Sequence, residues 1–246
     1  MDAELAPAAT PGDRGPASPW LVCVVPFAVF LAAGVFEPVK SGGGLAGALG
    51  IPYAAYPLVY ALRLGATLAA LAWCGRPLAA WIGRPTWWPP LLGLALVVPW
   101  VALAVLQREA GWATLLGERS AFDPFTEFGA GTAFAWGFLA LRLVGLVVVV
   151  SIVEELFLRG FVMRYVVNED FWQVPFGLLV PASAAACAVY AALTHPAEAV
   201  AAVGWFAVVS GIAAATRKPI DCILAHAATN LALGVYVVQT GAWWLW

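Results

Sequence analysis

Charge is scarce in this chain. Only 11% of its 246 residues are charged and 63% are apolar, and the mean hydropathy is +0.88, which excludes an ordinary soluble globular domain. Histidine is rarer still, with two residues, and the four cysteines (Cys23, Cys74, Cys187, Cys222) stand singly in apolar segments. Cysteines so placed act as small hydrophobes, and without CxxC pairing or an HExxH motif the sequence offers no redox pair and no metal set. Neither a metal nor a cofactor is expected. A net charge of -2 with no basic cluster argues against a nucleic-acid partner. Residues 1–19 are rich in Pro and Ala and lack the basic n-region of a signal peptide, so they read as a short disordered tail ahead of a single transmembrane helical domain over 20–246.

Apolar sequence in helix-length runs is what the chain has in abundance. A hydrocarbon core about 30 Å thick takes roughly 20 residues per helical span, and the runs 20–36, 51–74, 87–107, 175–194, 197–216 and 219–238 fit that length. The stretch 128–167 is twice as long: as one helix it would extend ~60 Å at 1.5 Å per residue. It is expected to break near Arg142 to Gly145 and to continue as a second helix over about 143–167. The resulting fold class is all-α, a polytopic membrane bundle of about 7–8 transmembrane helices, with no internal repeat. Tryptophans gather at the ends of runs ("TWWPP" at 86–90, "WWLW" at 243–246), where an interfacial aromatic belt would put them. With seven spans, Arg14, Arg76, Arg84, Arg164, Arg217 and Lys218 share one side and outnumber Lys40, Arg108 and Arg119, which places the N-terminus in the cytoplasm.

Against this background the ionisable residues inside the runs stand out: Arg63, Arg142, Glu154, Glu155, Arg159, His195, Asp221 and His226. A carboxylate at the bilayer centre costs ~2.5 kcal/mol or more, so each must face protein or water. Glu155 and Arg159 are four apart and share a helix face, where they can form an ion pair. Glu154 is turned about 100° from Glu155 by helix periodicity and therefore faces away from Arg159. A carboxylate held dry and away from a cation is poised as a general acid or base, although a purely packing-related polar cluster is the competing reading. His226 and Asn230, again four apart, share a face of the last run, where an interhelical hydrogen bond is the simpler account. His195 ends one helix and Pro196 opens the next; Glu198 and, after Pro219, Asp221 fall in first turns, where acids cap helices. Arg63 and Arg142 could snorkel, pair with a carboxylate or bind lipid phosphate.

Three elements thus follow one another on three helices: "EELFLR" at 154–159, His195, and "HAATN" at 226–230. This set resembles the CAAX prenyl endopeptidase family, also called CPBP or type II CAAX protease-like, whose signature is EExxxR, then FxxxH, then HxxxN. The first and third motifs match fully. In the second, Ala191 stands where the family has an aromatic, and Tyr190 lies one residue earlier. The resemblance covers about residues 130–235, and the opening "PWLVCVVPFAVFLAAGVFEP" also looks like the exosortase-associated branch of the family. It implies a metal-independent glutamic endopeptidase in the bacterial inner (cytoplasmic) membrane, cutting a membrane-associated protein near its C-terminus, with a sorting enzyme as a further partner. In such a site Glu154 would activate water with help from His195, His226 and Asn230 would form an oxyanion hole, and Glu155 and Arg159 would hold the constellation. Three other readings compete: a His₂Glu zinc protease, which would lack HExxH; a non-catalytic scaffold or immunity protein, which need not keep every polar group; and a transporter, which should show paired discontinuous helices.

Overall fold

A computed structural model describes residues 18–74, 83–111 and 121–246. Most of the expected tail (residues 1–17), together with Arg14, Arg76 and Arg119, lies outside these residues. Among the described residues the fold is helical throughout, without strands. Five helices are long and apolar enough to cross a bilayer: α2 (Tyr53–Trp73), α3 (Pro89–Glu109), α4 (Ala133–Tyr165), α6 (Pro196–Thr216) and α7 (Pro219–Thr240). Two shorter apolar helices, α1 (Pro19–Gly34) and α5 (Pro181–Thr194), complete the bundle. Proline opens α3, α5, α6 and α7, because its fixed φ suits the first turn and its missing N–H has no partner to lose there. Gly241, at φ 70, ends α7 in the left-handed conformation that glycine adopts without strain.

Leucines and valines on the outer faces remain open, among them Leu62 at 65% and Leu193 at 75%. This is the pattern of a protein whose solvent is lipid, where only closed helical backbones are tolerated. The interior is built around α7, which packs against α3, α4 and α6, while α1 packs against α2 and the second half of α4. Gly93 on α3 touches the backbone of α7: a Cβ there would collide with the Ala225 carbonyl, so the two helices approach as closely as small residues permit.

The long apolar stretch does not break where its length suggested. Helix runs unbroken from Ala133 to Tyr165, and the interruption comes earlier, at Gly129, whose φ of 86 ends the short helix Pro124–Phe128. What Gly145 introduces is a widened π turn over Gly145–Val150, followed by another over Leu156–Val162. Length alone could not tell a break from π turns, since both disturb the helix. Trp246 also departs from the belt reading: it is only 5% exposed and packs inward, whereas Trp87 is 78% exposed as an interfacial residue would be. Glu198 stands at the N-cap position of its helix without a side-chain cap bond, and it is 1% exposed. Asp221 also does more than cap. It reaches across to accept from the Thr86 N–H at 2.6 Å and the Thr86 hydroxyl at 2.7 Å.

Candidate active site

Adjacent glutamates on one helix must diverge, and on α4 they do. Glu155 turns into the protein, 2% exposed, and Arg159 one turn later is equally buried. Arg159 Nη1 donates to Glu155 Oε2 at 2.5 Å and Nη2 donates to the Phe206 carbonyl at 2.9 Å. The other oxygen, Glu155 Oε1, lies 3.0 Å from His226 Nδ1. A carboxylate can only accept, so the network assigns the Nδ1 proton to this bond. His226 is thereby fixed in orientation, with Nε2 directed to Glu154 Oε2 at 3.9 Å. Arg159, Glu155, His226 and Glu154 form one continuous polar line from α4 to α7 and back. The Glu155–Arg159 pair was expected; the Glu155–His226 bond was not, since it joins residues 71 apart in sequence.

Aromatic packing fixes the imidazole from the side. The Trp205 ring meets His226 edge-on at 4.6 Å between centroids. Trp205 Nε1 donates to the Thr229 hydroxyl at 3.0 Å, and that hydroxyl donates to the Gly93 carbonyl at 2.7 Å, so α3, α6 and α7 are tied together beside the ring.

His195 terminates α5, with φ -130 and ψ 58, a conformation forced out of the helical region by Pro196. Thr194 donates its hydroxyl hydrogen to the Tyr190 carbonyl at 2.8 Å and lies 2.9 Å from His195 Nδ1. Its lone pair therefore takes the Nδ1 hydrogen, and the acceptor nitrogen of a neutral His195 is Nε2. Trp100 and Phe206 hold the ring at 5.7 Å and 5.4 Å. Tyr190, not the residue four before His195, supplies the aromatic packing here, against Phe206 at 5.6 Å. Asn230 Nδ2 donates to the Leu146 carbonyl at 2.8 Å, with Ser151 Oγ at 3.4 Å. Leu146 lies in the first π turn of α4, so the expected interhelical bond is present and anchors the Asn230 amide beside that turn.

A cavity of about 620 Å³ opens among these helices and is lined by Glu154, His195, His226 and Asn230. Glu155 and Arg159 lie behind its wall. Residues 128–232 match the model of the type II CAAX prenyl endopeptidase Rce1-like family. This part of the chain is similar to that family. It holds the first and third motifs in full and the histidine of the second, and the likeness supports an integral membrane peptidase that acts on a protein substrate. No curated protein and no solved structure matches the chain.

The two remaining intramembrane arginines also line the cavity, and they differ. Arg63 is matched: it pairs with Glu37 at 2.8 Å, donates to the Phe30 carbonyl at 2.9 Å and covers the Phe30 ring at 3.5 Å. Arg142, 5% exposed, gives one long hydrogen bond, from Nη1 to the Phe122 carbonyl at 3.5 Å. It otherwise faces the rings of Tyr56 at 5.5 Å and Trp246 at 5.1 Å. Among the described residues no group of three His, Cys, Asp or Glu converges as a metal site would require. All four cysteines are free and buried. Thr194, Trp205 and Thr229 escaped the sequence reading because each acts by holding a histidine rather than by being ionisable in an apolar run. Of these, only Thr194, adjacent to His195, carried a local signal.

Proposed function

We propose that this Rce1-like protein is a glutamic intramembrane endopeptidase, in the bacterial cytoplasmic membrane, that hydrolyses a peptide bond of a membrane-associated protein near its C-terminus. The observation that carries the proposal is the 3.9 Å gap between Glu154 Oε2 and His226 Nε2 on the cavity wall. That distance is too long for a direct hydrogen bond and short enough to place both groups at one reacting carbonyl. Glu154 takes a proton from water as the oxygen attacks the scissile carbonyl, and passes it to the leaving amine. Water supplies the new C–O bond, the C–N bond breaks, and the products are a carboxylic acid and an amine without an acyl-enzyme. The acceptor nitrogen of His195 holds the second water hydrogen.

His226 has spent Nδ1 on Glu155, so it acts at the oxyanion through Nε2, which donates only when the ring carries both hydrogens. Asn230 offers its second amide hydrogen, which exchanges a long 3.4 Å bond to Ser151 Oγ for the oxyanion. Each preorganised donor at a developing oxyanion is worth ~3 kcal/mol by analogy with other hydrolases. Glu155 and Arg159 are positioning residues: they orient His226 and touch no substrate. A membrane-anchored sorting tail is a substrate of the kind that the exosortase-like opening segment implies.

Glu154→Gln keeps the shape of the side chain and removes the base. Comparison of membrane-protein fragments from cells carrying wild-type or Glu154→Gln protein should show cleavage products only with the former, at equal protein levels. Cleavage by the variant at the wild-type rate would refute the mechanism. Loss of cleavage on chelation would favour zinc chemistry, and a cellular phenotype unchanged by the variant would favour a scaffold.

A further inference from the structure

Three arginines are buried among the described residues, Arg142, Arg159 and Arg164, and Arg63 is partly buried; all but Arg142 have close polar partners. Arg159 has Glu155 and the Phe206 carbonyl, Arg63 has Glu37, and Arg164 donates to the carbonyls of Val174, Gly160 and Trp172 at 2.8, 3.0 and 3.1 Å. Arg142 has one carbonyl at 3.5 Å and two aromatic faces. No carboxylate of the described residues forms an ion pair with it. A guanidinium has five N–H donors. None of its nitrogens is among the sealed polar atoms without a partner, so its unused donors open onto the cavity that it lines. A cation at this depth is costly unless something anionic completes it.

The first π turn of α4 explains how Arg142 and Glu154 come to share that cavity. On a regular α-helix, residues 12 apart differ in direction by about 120°, at 100° per residue. The π turn over Gly145–Val150 lies between them, and one inserted residue turns the downstream face back by about 100°, leaving the two within about 20° of each other.

We propose that Arg142 is an anion subsite for the free α-carboxylate at the C-terminus of the peptide substrate, which lies along the cavity from Arg142 to Glu154. This rests on the hydrolase reading above. A guanidinium fork matches a carboxylate in two parallel hydrogen bonds, and the rings of Tyr56 and Trp246 hold its plane. A carboxylate fits better than a lipid phosphate because Arg142 is enclosed by the helices and lines the catalytic cavity, not the outer lipid-facing surface. The spacing limits the register: 12 residues of α-helix rise about 18 Å, and extended peptide advances about 3.3–3.6 Å per residue. A fully extended substrate therefore places the scissile bond about five residues from its C-terminus.

The test uses two pools of randomised decapeptides with an N-terminal palmitoyl anchor, one ending in a free carboxylate and the other in a carboxamide. Binding to the full-length Glu154→Gln protein and cleavage by wild type are measured in nanodiscs. We expect carboxylate peptides to bind and to be cleaved about 30-fold better, equivalent to ~2 kcal/mol at 1.4 kcal/mol per decade. Products should be cut about five residues from the end. Arg142→Gln should lower the carboxylate pool to the carboxamide level, and Arg142→Lys should keep part of the preference. Wild type needs no variant to fold for the first comparison. Cleavage without preference for the carboxylate overturns the subsite and leaves the hydrolase reading standing. Binding preference without cleavage supports the subsite and defeats the hydrolase reading. Neither binding nor cleavage, or an Arg142→Gln defect confined to retention of anionic lipid, overturns the subsite.

Discussion

Removing Glu155 should separate the two services that its carboxylate performs. Glu155→Ala takes the partner from Arg159, which is 2% exposed and would keep only the Phe206 carbonyl at 2.9 Å and the Phe206 ring at 5.4 Å. Arg159 Nε already has no hydrogen-bond partner, so nothing nearby can absorb the loss. Leaving one member of a buried pair uncompensated costs about 3–5 kcal/mol, and for a chain of this size each kcal/mol lowers the melting temperature by about 2–4 °C. The expected drop is about 6–20 °C. Unfolding can be followed with a thiol-reactive dye, because all four cysteines are buried in the folded protein. The double variant Glu155→Gln/Arg159→Met removes the charge pair as a unit, which is often nearly neutral for stability. It should recover most of the melting temperature but not activity, because His226 Nδ1 would still lack its carboxylate. A Glu155→Ala protein that melts within 2 °C of wild type (about 1 kcal/mol or less) would refute this account of the pair. A fully active double variant would refute the positioning of His226.

Gly93→Ala should push α3 from α7 through the Ala225 carbonyl, costing about 1–3 kcal/mol and lowering turnover by displacing His226; unchanged melting temperature and kcat would contradict the close approach. Asp221→Ala strands the Thr86 N–H and hydroxyl and should cost about 1–3 kcal/mol, read as an earlier thermal transition. Glu37→Gln breaks a pair whose side chains are 14% and 17% exposed, so screening limits the loss to about 1 kcal/mol or less, and a drop comparable to that of Glu155→Ala would show the pair to be far more strongly coupled than its exposure implies.

The sequence by itself determined the class of protein and the candidate residues of the site. Apolar runs of bilayer length fix an all-helical membrane bundle because an unsatisfied backbone cannot survive in lipid. The same expense singles out Glu154, Glu155, Arg159, His195 and His226, and helical spacing pairs Glu155 with Arg159, since both effects act within one or two turns of chain. Only the tertiary structure decided what faces what. The bond from Glu155 to His226 spans 71 residues and that from Asn230 to Leu146 spans 84, and no local periodicity records such contacts. The π turn over Gly145–Val150 that swings Arg142 and Glu154 onto one wall leaves the hydrophobic pattern of α4 nearly unchanged. It starts where Gly145 packs against Tyr60 and Leu64 so closely that a Cβ has no room, which is a property of two helices in contact rather than of either sequence.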